Sequence, residues 1–425
     1  MTRAERRELQ EKQRAAKKEK EAAAPAGDGA GGKGKAKAGA SSAKATTSQN
    51  AQPSGTPSKD AGRDAPGSQD PDGPRGQRIF SHFGSQKPPS SGKTPSSDPI
   101  HPAVIRLGLQ FSEFKIVGAN ARCIATLTAL RNVIQDYSTP ANTTLSRHLE
   151  KHLGPQITHL VSARPMAVTM GNAIRQLKKY ISECDIDLPD KDAKDLLCDK
   201  IDTYIRDRIV LADQVIVENA VKKINDGDTV LTYARSSAVQ KILLGAHGEG
   251  KNISVVVVDS RPLLEGKNLL SVLTNAGIPC TYMLLPSLGS YLSSHSGNIS
   301  SVLLGAHSIH ADGAVFSRSG TALVAMMART HTIPVLVACE TYKFSEAVVL
   351  DGFTKNELGD LSVFPPYPSV IPNSKLLRER SPNSKLELFN PLYDLTSAKD
   401  ITAVVTEVGI IPASSISLIP LALGR

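Results

Sequence analysis

The sequence lacks the features that would place the chain in a membrane or in an oxidising compartment. Its beginning has no apolar run that resembles a signal peptide, and no run of about 18 or more apolar residues occurs in the chain. The five cysteines are scattered and include no CxxC pair, which fits a reducing compartment. We therefore expect a cytosolic protein.

The first 98 residues contain few hydrophobic side chains, although the whole chain is 40% hydrophobic. Many of the lysines and arginines behind the formal net charge of +9 lie in this segment. Such a stretch cannot bury enough apolar surface to offset the entropy of ordering it, so residues 1–98 are predicted to be a disordered, basic, low-complexity tail. Two interpretations of its charge stay open. The tail keeps the protein soluble, or it makes a weak contact with RNA or the ribosome, because phosphate attraction requires only positive charge.

Residues 99–222 carry apolar side chains at three- and four-residue spacing, the period of an amphipathic helix. We predict an all-α domain. Its predicted helices cover residues 120–135, 145–153, 166–181 and 193–222. The prolines expected to separate them, because proline interrupts a helix, are Pro140, Pro155, Pro165 and Pro189.

From residue 223 to residue 425 strands alternate with helices, which predicts a doubly wound, Rossmann-like parallel sheet. The predicted strands cover residues 229–234, 253–259, 280–285, 301–306 and 334–339, and the predicted helices include 236–244, 267–276 and 397–408. The proline-rich stretch 351–390 is expected to be an irregular surface loop. The predicted fold class is α/β, with a helical domain first, a Rossmann-like domain second and the disordered tail in front of both.

No cofactor and no metal ion are predicted from the loops at the carboxyl edge of this sheet. The first strand–helix turn, Tyr233 to Ser237, contains no glycine, so its backbone cannot approach a pyrophosphate closely. His307, His310 and Asp312 share one loop, but no second cluster of ligands accompanies them. A structural or interface role is therefore favoured over a metal site.

Other side chains at this edge have alternative interpretations. Cys339 and Glu340 could be a nucleophile and a base, but no neighbouring His orients them, and a buried Cys is often only a small apolar residue. Arg261 and Arg318 suit a phosphate or an acidic partner chain, and a solvated or salt-bridged pair is the alternative.

In the helical domain, Arg175, Lys178 and Lys179 form a basic helix face. An ordinary solvated surface is the alternative interpretation.

Several longer motifs resemble one protein family. These motifs are Val256–Gly266, Leu303–His307, Ser317–Ala322, Cys339–Phe344 and Asn390–Thr396. They are similar to the regulatory subunits of eukaryotic translation initiation factor 2B, and the similarity extends over residues 101–425. The same superfamily contains isomerases of methylthioribose 1-phosphate and of ribose 1,5-bisphosphate.

The resemblance implies that the catalytic groups of those isomerases are missing from this chain. Ala234 stands where the enzymes have a Cys, His307 where they have an Asp, and Val117 where they have the Arg of an early Arg-Gly-Ala motif. A remnant sugar-phosphate pocket is implied at Arg164, Ala234, Asp259, Arg261, His307 and Arg318. Turnover is not expected.

The function implied by the resemblance is that of a non-catalytic regulatory subunit in the guanine-nucleotide exchange complex for initiation factor 2. The expected partners are the sister subunits alpha, beta, gamma and epsilon, and initiation factor 2 in its phosphorylated and unphosphorylated forms. A phosphate adds about −1.5 to −2 charges at pH 7, so a small basic surface could recognise the phosphorylated alpha subunit of factor 2. The residues expected on that surface are Arg164, Arg175, Lys178 and Lys179. An active sugar-phosphate isomerase is the alternative.

Overall fold

The structure is a computed structural model that describes residues 99–185, 187–353, 356–359 and 389–419. The predicted tail, residues 1–98, and most of the predicted loop 351–390 lie outside these ranges. Within them, helices come first and a mixed α/β region follows, as the apolar periodicity predicted. None of the helices in these ranges has the length and apolar character required to cross a membrane.

The N-terminal part is helical. Its helices are α1 Pro102–Ser112, α2 Ala119–Asp136, α3 Leu145–Ala163, α4 Val168–Ser182, α5 Asp190–Tyr204 and α6 Ala212–Val221. A π-helical segment, Ile205–Leu211, joins α5 to α6, so the helix predicted over 193–222 continues through one irregular turn. The apolar faces of α1 to α5 enclose one core, in which Leu127, Leu149 and Leu177 are almost fully buried.

One expectation for this part is wrong. Pro155 does not separate two helices but lies inside α3, which continues to Ala163. A proline within a helix removes one backbone hydrogen bond. The loss is tolerated here because Leu149, Leu153 and Leu160 keep the apolar face of α3 in the core on both sides of the proline.

The second part combines strands with four further helices. The strands are β1 Thr229–Tyr233, β2 Ser254–Asp259, β3 Cys280–Leu284, β4 Ser301–Gly305, β5 Ser308–Ile309, β6 Val315–Arg318, β7 Val335–Ala338, β8 Tyr393–Thr396, β9 Ala403–Thr406 and β10 Gly409–Ile411. The helices are α7 Ser237–Gly248, α8 Gly266–Asn275, α9 Leu288–His295 and α10 Thr321–Thr330.

The main sheet has the strand order β10-β9-β7-β4-β1-β2-β3. All neighbouring strands are parallel except β10, which runs antiparallel to β9. Strands β5, β6 and β8 form a second, antiparallel sheet. In the main sheet the strand order reverses between β1 and β4. Proteins of this class bind ligands at the carboxyl ends of the strands beside such a reversal.

The helix predicted over 397–408 is wrong. A short 3-10 turn, Ala398–Asp400, leads into β9, and β9 turns back into β10. Val404 and Val405 are consecutive and fully buried because Val404 packs into the core on one face of the sheet and Val405 into the core on the other face. A strand covered on both faces has no alternating pattern, and its apolar residues were mistaken for one face of a helix.

All described residues belong to one compact unit. The domain boundaries predicted at residues 98 and 222 are not tested by this result and stay predictions. The loop after β7 connects the two parts, because Tyr342 belongs to the core of the N-terminal helices.

Candidate functional site

A cavity of about 570 Å³ lies at the carboxyl ends of β1 and β4, where the strand order reverses. Three of the predicted pocket residues line it together: Ala234, His307 and Arg318. The first turns of α2 and α7 also form part of its wall. Neither N-cap residue, Gly118 or Ser236, makes a side-chain capping hydrogen bond. Since first-turn amides have no partner within their helix, this wall carries hydrogen-bond donors and partial positive charge.

A second cavity, of about 500 Å³, shares Ala234 and Arg318 with the first. Asp259 and Arg261 line this second cavity and not the first. Much of the remaining wall is apolar and includes Leu263, which is 51% exposed. The predicted pocket residues are therefore divided between two adjoining cavities.

Asp259 is a buried structural group. Its Oδ2 accepts a hydrogen bond from the Tyr282 hydroxyl at 3.1 Å, and its Oδ1 accepts one from the Ser260 amide at 2.9 Å. Helix α8 begins directly against this carboxylate, because a Cβ on Gly266 would lie 2.7 Å from Asp259 Cγ. Arg261, in contrast, has an exposed side chain.

The two positions that the resemblance assigns to catalysis, Ala234 and His307, carry neither a thiol nor a carboxylate. Ala234 has only a methyl group and is held with a φ of 53°, in the left-handed region that non-glycine residues seldom adopt. The His307 ring lies against Tyr393, with the ring centroids 4.5 Å apart. Burial, and then the charges of Arg122 and Lys343, lower the pKa of His307 well below its usual range. The imidazole is therefore neutral at pH 7.

Arg318 is paired inside the protein. Its Nη2 lies 2.7 Å from Glu265 Oε1, and its guanidinium lies over the Tyr393 ring at 5.3 Å from the centroid. The sequence left two interpretations for Arg318, an anion-binding group and a salt-bridged group. In the structure Arg318 forms a salt bridge.

The expected placements of Arg164, in the pocket and on the basic surface, are both wrong. The side chain is fully buried and lines neither cavity. Its Nε donates to Glu357 Oε2 at 2.6 Å, and its guanidinium lies over the Phe114 ring at 4.4 Å. The physical reason is charge compensation, because a buried guanidinium requires a carboxylate partner and Glu357 supplies it away from the cavities.

Sequence reasoning missed the other members of this ion-pair network. Arg122 is fully buried as well, and its Nη1 donates to Glu357 Oε1 at 2.8 Å. Glu357 belongs to segment 356–359, which runs antiparallel to segment 390–393 through the Leu358–Pro391 bridge. Arg122 and Glu357 are 235 positions apart. No local pattern joins them, so the sequence contains no signal for this pair.

The loop after β7 holds a second buried ion pair. Lys343 Nζ lies 2.6 Å from Glu340 Oε2, and Asn120 Nδ2 donates to Glu340 Oε1 at 2.6 Å. Burial alone would raise the pKa of Glu340, but the Lys343 ammonium and the hydrogen bonds outweigh burial and lower that pKa. Burial raises the pKa of the Cys339 thiol well above its usual range. A buried, protonated thiol is a poor nucleophile. Cys339 therefore acts as a small buried apolar residue and not as a nucleophile.

The basic helix face lies on α4. Arg175 and Lys179 are exposed, and Lys178 is partly exposed. Arg175 Nη1 donates to Asn172 Oδ1 at 3.2 Å, and Asn172 Nδ2 donates to the carbonyl oxygen of Tyr342 at 2.9 Å. This face therefore lies next to the loop that carries the buried Lys343–Glu340 pair.

His310 and Asp312 have local structural contacts. The His310 ring packs edge-on against Phe316, and Asp312 Oδ1 accepts a hydrogen bond from the Ala314 amide at 3.1 Å. Across the described ranges, no three His, Cys, Asp or Glu side chains are grouped as metal ligands would be.

Comparisons with known proteins agree with the motifs. The family model described as "Initiation factor 2 subunit family" matches residues 115–413. Translation initiation factor eIF2B subunit delta of Schizosaccharomyces pombe is 45% identical over 349 residues, which are 80% of this chain and 72% of that protein. A chain in the crystal structure of the tetrameric eIF2B-beta2-delta2 complex from C. thermophilum is 40% identical, with a TM-score of 0.65 over 77% of this chain and 96% of that chain.

An enzyme is also among the relatives. Ribose 1,5-bisphosphate isomerase of Pyrococcus furiosus is 31% identical over 314 residues, which are 73% of this chain and 90% of that protein. The resemblance to both branches of the superfamily is thereby confirmed. The chain belongs to the initiation factor 2 subunit family.

Proposed function

We propose that the chain is a non-catalytic regulatory subunit of the eIF2B guanine-nucleotide exchange complex. The observation that carries this proposal is the 45% identity to an eIF2B delta subunit over 80% of the chain. The chemistry of the site is consistent with it, because Ala234 offers only a methyl group and His307 a neutral imidazole at the two positions that the resemblance assigns to catalysis in the isomerases. In this proposal Ala234, Asp259, Arg261, His307 and Arg318 are the remnant of a sugar-phosphate pocket.

The proposed partners are the sister subunits and initiation factor 2. The similar chain from C. thermophilum was crystallised in a tetramer of beta and delta subunits. This chain is proposed to assemble in the cytosol with a beta subunit in the same way, and also with alpha, gamma and epsilon subunits.

Native mass spectrometry of the tagged full-length chain, purified from its own cytosol, tests the proposed function. A large complex that contains the other four kinds of subunit and initiation factor 2 is the expected result. A homo-oligomer alone would contradict the proposal. That result would favour the isomerase alternative, which the 31% identity to a ribose 1,5-bisphosphate isomerase supports, and a coupled turnover assay would then test it.

The basic face of α4 is the proposed surface for recognising phosphorylated factor 2. Arg175, Lys178 and Lys179 project from one helix, and their ion pairs are weak, with Lys178 4.0 Å from Glu150 and Lys179 3.9 Å from Glu183. Replacing all three by Glu is expected to raise the concentration of phosphorylated factor 2 that half-inhibits exchange by about tenfold, because repulsion replaces attraction to the phosphate. Basal GDP release should stay nearly unchanged in the same reconstituted assay.

A charge-matched variant controls for the change in net charge. It carries Glu at Lys191, in the first turn of α5, and at Lys222 and Lys223, directly after α6, all of which are exposed. Its sensitivity to phosphorylated factor 2 should equal that of the wild type. Equal sensitivity of both triple variants would show that recognition lies on another surface.

The basic tail, which lies outside the described residues, is proposed to make the weak RNA or ribosome contact. RNA binding by the full-length chain should fall steeply with salt, since counterion release dominates such binding. Deleting residues 1–98 should abolish it in a filter-binding measurement. Binding that survives the deletion would place the contact on the folded part.

A further inference from the structure

Carboxylates of the same chain neutralise the buried and partly buried cations described above, of which Lys343 and Arg318 line the first cavity. Glu357 pairs with Arg122 and Arg164, Glu340 pairs with Lys343, and Glu265 pairs with Arg318. Anion-binding sites in proteins usually leave guanidinium groups available for the ligand. Here each of these cations already contacts a carboxylate of the protein itself.

Glu265 differs from the other two carboxylates in its position. The side chains of Glu340 and Glu357 are 0% and 8% exposed, and both hold segments of the fold together. The Glu265 side chain is 24% exposed and lines both cavities. It is the N-cap residue of α8, yet it makes no side-chain capping hydrogen bond and contacts Arg318 instead. Its carboxylate therefore occupies space that a bound molecule could occupy.

The wall around the pair is otherwise suited to an anion. Arg318 is 18% exposed, so its charge is only partly screened by water. Arg235 lines the same cavity, and its Nε donates to the neutral side chain of Gln240. The first turn of α7, which follows the N-cap residue Ser236, adds backbone amides without a side-chain cap. A guanidinium together with a helix start favours phosphate, and a cavity of about 570 Å³ has the size of a small-molecule site.

We propose that the Glu265 carboxylate is an internal anion that occupies Arg318 and closes this cavity to phosphorylated small molecules. In the wild type the anion site is filled by the protein's own side chain. The inference rests on the proposal that the cavity is a remnant sugar-phosphate pocket without turnover. The proposed role of Glu265 is to prevent phosphate binding. This role is separate from the change of residues at the positions assigned to catalysis.

The variant Glu265→Gln tests the proposal, because it keeps the size of the side chain and removes its charge. Inorganic phosphate is the probe, titrated against the full-length chain at constant ionic strength, with the melting temperature and the heat of binding as readouts. The variant should bind phosphate with an apparent Kd at least about tenfold lower than that of the wild type. Its melting temperature should rise with phosphate concentration and saturate, as expected for a ligand that binds only the folded state.

Two further variants locate the effect. Glu249→Gln makes the same change in net charge at an exposed carboxylate that pairs with Lys251 away from both cavities, and it should leave phosphate binding at the wild-type level. Glu265→Gln combined with Arg318→Met should lose the gain. The proposal is overturned if Glu265→Gln binds phosphate no better than the wild type, if Glu249→Gln gains equally, or if the double variant keeps the gain. The titration uses the chain without sister subunits, so its failure leaves the result of the assembly experiment unchanged.

Discussion

Replacing Glu357 by Ala should destabilise the folded chain by about 3–5 kcal/mol, because it leaves two buried guanidinium groups without a counter-charge. Arg122 and Arg164 are both fully buried, at 2.8 and 2.6 Å from the two oxygens of this one carboxylate. Removing the counter-charge of a buried ion lowers the free energy of unfolding far more than removing that of a surface ion. The free energy of unfolding, measured by urea denaturation of the full-length chain, gives the size of the loss.

Two comparisons make this measurement specific. Glu113→Ala breaks the pair with Lys115, whose side chains are 53% and 68% exposed, and should cost less than about 1 kcal/mol. Glu357→Gln combined with Arg164→Met removes the carboxylate and one guanidinium together. This double variant should be more stable than Glu357→Gln alone, since one uncompensated charge fewer is buried. A loss at Glu357 no larger than the loss at Glu113 would contradict the structure of this network.

The sheet was predictable because its signal is local. Strand β2 is a run of valines ending at Asp259, and helices α7 and α8 follow their strands at the expected distance. Helix α1, which begins at Pro102, was not predicted, although proline in a first turn is a common start signal. Strand β9 was mistaken for part of a helix, because burial on both faces removes the alternation that marks a strand.

The candidate site was predictable only where it depends on the sheet. Ala234 and His307 come together because the carboxyl ends of parallel strands meet at one edge. Arg164 was misplaced because its position depends on Glu357, a carboxylate 193 positions away in a segment without periodicity. The Glu265–Arg318 pair was missed as well, because periodicity reports which face of an element is buried but not which charges face each other across a loop.

Replacing Tyr342 by Ala should have a comparably large effect, a loss of about 3–5 kcal/mol in the free energy of unfolding. Tyr342 lies in the loop after β7, yet its ring is fully buried in the core of the N-terminal helices. Truncation would open a cavity where the two parts of the chain are held together. Hydrogen exchange should therefore accelerate first in α2 and α4, whose Asn120 and Asn172 bond the Tyr342 hydroxyl and carbonyl oxygen.

A smaller change at the same residue separates packing from hydrogen bonding. Tyr342→Phe keeps the ring and removes the donor to Asn120 Oδ1 at 2.6 Å, so it should cost about 1–3 kcal/mol. Burial, and then the Glu340 carboxylate, raise the pKa of Tyr342 well above its usual range. The phenol stays protonated, and the loss should be the same from about pH 6 to pH 9.

Tyr180→Phe, at a partly exposed ring on α4, is the control and should change stability by less than about 0.5 kcal/mol. If Tyr342→Phe were equally harmless, the buried hydroxyl would contribute nothing, and the contact between the loop and the helices would depend on ring packing alone.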